Sequence, residues 1–195
     1  MGAAQTLTPE EQLGKSIFFD TDLSINGNQS CADCHAPAVG WTGPIASINA
    51  GGAVYEGSIA GRFGNRKPPS TAYATPSPVL HADKKGDFTG GNFWDGRATG
   101  ERLGNPAADQ AQGPFLNPVE QAAPDLACIV HEVCSASYPV NFEQVWGAGR
   151  CDIAWPADVE TVCATLNGSV DLSDEDRAKA AQNYDSIALS ISVFE

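Results

Sequence analysis

Ser30-Cys31-Ala32-Asp33-Cys34-His35-Ala36-Pro37, SCADCHAP, decides how the rest of the chain is read. It contains C-x-x-C-H, the spacing by which a polypeptide holds haem through two thioethers and ligates its iron through the histidine. His35 is then the proximal ligand, and its other ring nitrogen should donate to a backbone carbonyl or carboxylate that fixes the ring. Zinc binding or dithiol redox chemistry is the rival use of the same residues. On the far face of the iron an electron carrier usually places a methionine sulfur or a second histidine, whereas a catalyst leaves the position open. The only methionine is Met1.

Outward from the motif, helices dominate. Upstream, Thr8 caps a helix, Pro9 takes its first turn, Glu11 closes a T-x-x-E capping box, and Leu13 and Ile17 give it an apolar face. That helix runs towards Phe18 and stops near Asp20; its Gly14 is of the kind that lets another helix approach closely. LSINGNQS then supplies Asn-Gly turn chemistry and leads to a short helix starting around Ser30. Ala36 to Gly91 shows little periodicity and much Gly, Pro and Ser, a long wrapping loop of the sort supported by something bound. A helix is expected from Pro124, burying Leu126, Ile129, Val130 and Val133. Others are expected over Asn141 to Trp146, ended by Gly147, and over Asp158 to Leu166. The last begins with Ser173 as cap and Asp176 at its third position; it is still apolar at Phe194, so the segment from about 173 to 195 is expected to lead towards a second half or a partner. The fold class is mainly α, a cytochrome-c-like helical domain with long haem-wrapping loops spanning 1–195 and holding one covalently attached c-type haem iron.

At 195 residues the chain can bury a core and a cofactor, and its 20 glycines and 13 prolines sit between apolar segments in long ordered loops. The net charge of −13 argues against nucleic acid and fits a basic soluble partner, an electron-donor protein such as a basic cytochrome. No segment approaches the roughly 20 apolar residues of a membrane span, and MGAAQTLTPEEQ has no signal-peptide apolar region. Since c-type haem is normally attached outside the cytoplasm, a periplasmic or otherwise extracytoplasmic location after signal removal is expected, with Met1 an added start residue. Beyond Cys31 and Cys34 remain Cys128, Cys134, Cys151 and Cys163, enough for two disulfides in an oxidising compartment; a second metal site is their rival use. Three pairings are possible. Cys151 with Cys163 is favoured because it brackets a short proline-containing loop, which leaves Cys128 with Cys134 and demands a bend between them, since a straight helix would hold them too far apart.

LGKSIFFDTDLSINGNQSCADCHAPAVGWTG, then NRKPPS, then GNFWDGRA, then DQAQGP followed by NPVEQ, resembles the N-terminal haem half of the bacterial di-haem cytochrome c peroxidase and MauG-like superfamily. The terminal ALSISVFE resembles the helix that leads into that family's second half. The resemblance implies two cytochrome-c-like helical domains, each with a haem, the N-terminal one reacting with hydrogen peroxide. It assigns Cys31, Cys34 and His35 to that haem. It sets Glu120 on the distal side as acid-base group, with Gln110 near it as hydrogen-bonding partner, and Trp94 between the haems on the electron route. Arg66, assigned with Cys31, Cys34 and His35 to cofactor binding, matches the arginine of an R-N-x-P-T-like block that here reads R-K-P-P-S.

These residue types suit the chemistry independently. Splitting the O–O bond of peroxide needs a base for one oxygen and an acid for the other, and one carboxylate serves both in sequence if its pocket raises its pKa. The plainer alternatives are Glu120 as a helix-start carboxylate in water, Trp94 as a core aromatic, and Asp95 with Arg97 as a local ion pair or the arginine on a haem propionate. The loop from Ala36 to Asn65 has no histidine to block the far side of the iron; His81 is the possible distal ligand, and His131, in an apolar helical run, reads as a core or interface residue. An open iron is therefore the first expectation. There is no second C-x-x-C-H, so electrons would have to come from a partner, a second haem domain or subunit, or a protein radical. The alternative functions are a single-haem electron carrier using His35 and His81, and a sensor that takes a small ligand at a vacant position.

Overall fold

In a computed structural model, residues 6–195 are described, and Met1 lies outside them. α1 (Pro9–Phe18) starts as its sequence dictates: the Glu11 amide donates to Thr8 Oγ1 at 3.2 Å, while the Thr8 amide donates to Glu11 Oε2 at 2.6 Å. α2 (Cys31–Cys34) carries the cysteine pair, and α3 (Ala46–Ala50) and a hairpin of β1 (His81–Ala82) with β2 (Phe88–Thr89) are the small regular pieces of the long loop. α4 (Pro106–Leu116), α5 (Leu126–Ser135), α6 (Phe142–Trp146) and α7 (Val159–Cys163) follow, and α8 (Asp174–Phe194) closes the chain. This is the mainly helical class expected.

α8 is the axis of the core. It lies against α1, α4 and α5, burying Ala180, Tyr184, Ile187, Ala188 and Ile191, with Phe18, Phe115 and Phe142 fully buried in the same core. Each of those large side chains contributes on the order of 2 kcal/mol by leaving water. Gly14 is what lets α1 approach: a Cβ there would stand 1.8 Å from the Ser190 carbonyl oxygen on α8. The expected close helix contact is therefore present and specific to this position.

Helices α1, α2, α6 and α8 start where expected, with Asn141 accepting a backbone amide, whereas α5 begins at Leu126, two residues after the Pro124 expected, with Asp125 accepting the Ala127 amide as its cap. α7 is shorter than the Asp158 to Leu166 expected, and α4 was not anticipated, although Asn105 accepts from the Ala107 amide and Pro106 fills its first position. The disulfide expectation is corrected. Cys128 pairs with Cys163 and Cys134 with Cys151, at Cα separations of 5.5 and 5.6 Å. α5 runs straight through Cys128 and Cys134, whose six-residue spacing amounts to about 9 Å of helix rise, beyond disulfide reach. Each cysteine therefore bridges outward, one to α7 and one to the segment after α6. Among the described residues no cluster of His, Cys, Asp and Glu is arranged to hold a metal ion, and no helix is long and apolar enough to cross a membrane.

Candidate haem and peroxide site

α2 is a single turn, and what holds it is Asp33: its carboxylate accepts from the Ser30 amide at 2.7 Å and the Ser30 hydroxyl at 2.8 Å. The turn places Cys31 and Cys34 one above the other, and they are the only free cysteines among the described residues. Burial raises both thiols, Cys34 to about 12; the charge of Glu120 adds to that rise at Cys34 and, more weakly, at Cys31.

His35 follows as the helix cap. Its Nδ1 lies 2.9 Å from the Pro69 carbonyl and 3.4 Å from that of Trp41. Both partners only accept, so Nδ1 carries the proton and Nε2 keeps its lone pair free. Burial lowers the imidazole pKa, partly offset by those two carbonyls, which keeps the ring in the neutral form a metal ligand requires. The carbonyl arrives there because the 68–71 segment is stitched to the 40–42 segment. Thr42 Oγ1 donates to the Pro68 carbonyl at 2.6 Å, Ser70 Oγ to Gly40 at 2.7 Å, and the Thr71 amide to Trp41 at 3.1 Å. The expected backbone acceptor for His35 is thus present, and the NRKPPS block supplies it through a main-chain atom that no residue type could reveal.

Glu120 sits in the turn after α4, half-buried, and not at a helix start in water. Its backbone is clamped from two sides. The Ser58 amide donates to the Glu120 carbonyl at 2.8 Å, and the Ile25 amide to that of Gln121 at 3.0 Å. The Gln121 side chain reaches the carbonyl of Gln29, just before the attachment turn, at 3.1 Å. Gly57 makes the first clamp possible, since a Cβ there would fall 2.4 Å from the Val119 carbonyl oxygen. Burial pushes the Glu120 carboxyl pKa up, against the pull of the Asn117 side chain and the Arg97 charge. Gln110 lies half-buried on α4 and makes no hydrogen bond to Glu120 among the described residues. The polar neighbour of the carboxyl is Asn117, which had not been singled out.

Trp94 is 71 % exposed, which removes the reading of it as a core aromatic. It lines a cavity of about 500 Å³ with Leu80, Phe88, Phe93 and Asp95. The Arg66 guanidinium lies over its ring at 4.5 Å, and Asp95 and Arg97 form the local ion pair expected, at 2.8 Å. His81 is exposed on β1 with Nδ1 2.9 Å from the Val79 carbonyl, and it shares no hydrogen bond with the residues around His35. His131 is largely buried on α5, edge-on to Trp155 with ring centroids 5.0 Å apart, as its apolar setting implied.

A free cysteine pair on one turn, beside a histidine whose outer nitrogen is anchored and whose inner nitrogen is free, fits covalent haem attachment. The family model described as di-haem cytochrome c peroxidase matches residues 8–195. The methylamine utilization protein MauG of Paracoccus denitrificans is 38% identical over 156 residues, covering 77% of this chain and 38% of that protein. Cytochrome c551 peroxidase of Nitrosomonas europaea is 28% identical over 159 residues, 76% of this chain and 38% of that protein. Among solved structures, the diheme peroxidase BthA of Burkholderia thailandensis superposes with a TM-score of 0.70 over 97% of this chain and 38% of that chain, at 24% identity, a likeness of fold. The chain thus spans 38% of the length of each of these relatives.

Proposed function

Because this chain belongs to the di-haem cytochrome c peroxidase family, we propose that it is the peroxide-reducing haem domain of a di-haem system, one domain over 1–195. Cys31 and Cys34 would hold one c-type haem and His35 Nε2 would ligate its iron; when bound, that iron supplies the redox centre at which peroxide takes up electrons. Reducing peroxide to two waters consumes two electrons and two protons. Glu120 moves a proton within the peroxide, its carboxylate taking it from one oxygen and returning it to the departing one, while the two protons consumed come from solvent. A carboxyl whose pKa burial raises takes up a proton more readily than an exposed one and still holds it when the departing oxygen needs it, and the clamped 117–121 turn keeps it in place. Electrons would enter past the exposed Trp94, from a second haem domain or a donor protein, and the net charge of −13 favours a basic donor. An extracytoplasmic location accords with thioether attachment and with the two disulfides.

The observation that carries this reading is the half-buried Glu120 on a turn that Gln121 ties to the Gln29 carbonyl, just before the attachment turn, at 3.1 Å, while His35 presents a free Nε2. The rival, a single-haem carrier with His81 as second ligand, loses its ground: the family is one of di-haem peroxidases, and His81 is held at the surface hairpin by Val79. The test is the ferric absorption spectrum of the purified chain, with haem counted, before and after hydrogen peroxide. One haem per chain and high-spin bands that change on addition are expected. A low-spin spectrum indifferent to peroxide would overturn the proposal.

A further inference from the structure

Four tryptophans occur in the chain, and among the described residues Trp94 alone is exposed. Two neighbouring aromatics are each covered by an arginine: Arg97 lies 3.6 Å from the Phe93 centroid and Arg66 lies 4.5 Å from that of Trp94. The two cations are not equivalent. Asp95 accepts from Arg97 at 2.8 Å and offsets its charge, whereas Arg66 makes no salt bridge among the described residues and presents its full charge to the indole. From this pairing we propose that Arg66 is a positioning residue that sets the potential at which Trp94 gives up an electron.

A cation over a neutral ring is attracted by the quadrupole of the π system. Removing one electron from that system leaves a radical cation, and attraction becomes repulsion between like charges. In the step concerned, one electron leaves the Trp94 π system for a one-electron oxidant, which in the function proposed above is the peroxide-oxidised haem domain. No bond breaks, the indole keeps its N–H proton, and an electron from the donor refills the ring. At 4.5 Å, even with the dielectric of bulk water, the added repulsion disfavours the oxidised ring about fivefold. For a one-electron couple that corresponds to a potential about 40 mV higher. The indole then passes electrons without the vacancy settling on an exposed side chain.

This rests on the reading of Trp94 as the electron route, and voltammetry of the haem-containing full chain separates the two. The wave absent from Trp94→Phe belongs to Trp94. Arg66→Gln, planar and neutral, is expected to move that wave about 40 mV or more to lower potential, while Arg66→Lys retains most of the original value. A wave that stays put or rises in Arg66→Gln overturns the proposal, as does the lack of any wave dependent on Trp94. Electron delivery to the peroxide-treated chain is followed in parallel. If Trp94→Phe leaves it unchanged while Arg66→Gln still shifts the wave, the electron route fails and the tuning by Arg66 stands.

Discussion

Gly14→Ala sets the packing of the fold against helix propensity, and the structure says which wins. Alanine in a helix interior is favoured over glycine by about 1 kcal/mol, so the exchange would stabilise α1 in isolation. Its Cβ, however, would lie 1.8 Å from the Ser190 carbonyl oxygen, 2.6 Å from the carbonyl carbon and 3.1 Å from Phe194 Cβ. Two of the three obstacles are backbone, so the helices must separate by more than an ångström along the core contact of α1 with α8. Overpacking of this kind costs roughly 1–3 kcal/mol where side chains can yield. Here the backbone cannot, which puts the net loss at about 2–3 kcal/mol, or roughly 4–12 °C in Tm for a chain of this length. The matched control is Gly113→Ala on the exposed face of α4, where the nearest atom is Phe93 Cζ at 4.0 Å; the same substitution should there stabilise by up to about 1 kcal/mol. Urea unfolding followed by far-ultraviolet circular dichroism reads both. Equal and small effects at the two glycines, or a gain at Gly14, would refute the assignment of α1 against α8.

Three further outcomes follow from the same geometry. Digestion without reductant should release peptides joined through Cys128–Cys163 and Cys134–Cys151; removing the first bridge, with its 35-residue loop, should cost about 4 kcal/mol, and the second, with 17, about 3 kcal/mol. Burial alone would raise the Asp125 carboxyl, but the Arg177 guanidinium at 2.7 Å and the Ala127 and Val170 amides, both at 2.9 Å, hold it below its ordinary value. A depressed folded-state pKa stabilises above the unfolded value of about 3.9 and is lost as pH falls through the folded one. The wild-type chain should therefore weaken below about pH 4 more steeply than Asp125→Asn, with Tm measured across pH as the check. In Cys31→Ser with Cys34→Ser, thioether-bound haem should vanish in mass spectra while both disulfides persist, since the two cysteine sets do not touch.

What the sequence disclosed depended on whether the deciding interaction lay in side chains near one another along the chain. The Thr8–Glu11 box, the Asn141 and Ser173 caps and the close approach at Gly14 were legible because each is written in local residue types. α4 escaped notice since Gly113 and Pro114 interrupt it, although the Asn105-Pro106 start was a usable signal. The disulfide pairing turned on whether α5 stays straight between Cys128 and Cys134, a matter of tertiary packing. At the site, the C-x-x-C-H residues and Glu120 stood out as types, whereas the Pro69 carbonyl behind His35 is a backbone atom delivered by loop pairing. Asn117, beside Glu120, was overlooked in favour of Gln110 because its three-residue spacing from Glu120 becomes a contact only in the turn that ends α4.

The most direct test is the rate at which the haem-loaded ferric chain reacts with hydrogen peroxide, followed by stopped-flow absorption in wild type and Glu120→Gln. Loss of the proton-handling carboxyl should slow the reaction by roughly 10²- to 10⁴-fold, with the wild-type rate rising as Glu120 deprotonates and the variant showing no such rise. Equal rates in the two proteins across pH would contradict the role given to Glu120, and with it the peroxidatic assignment of this domain.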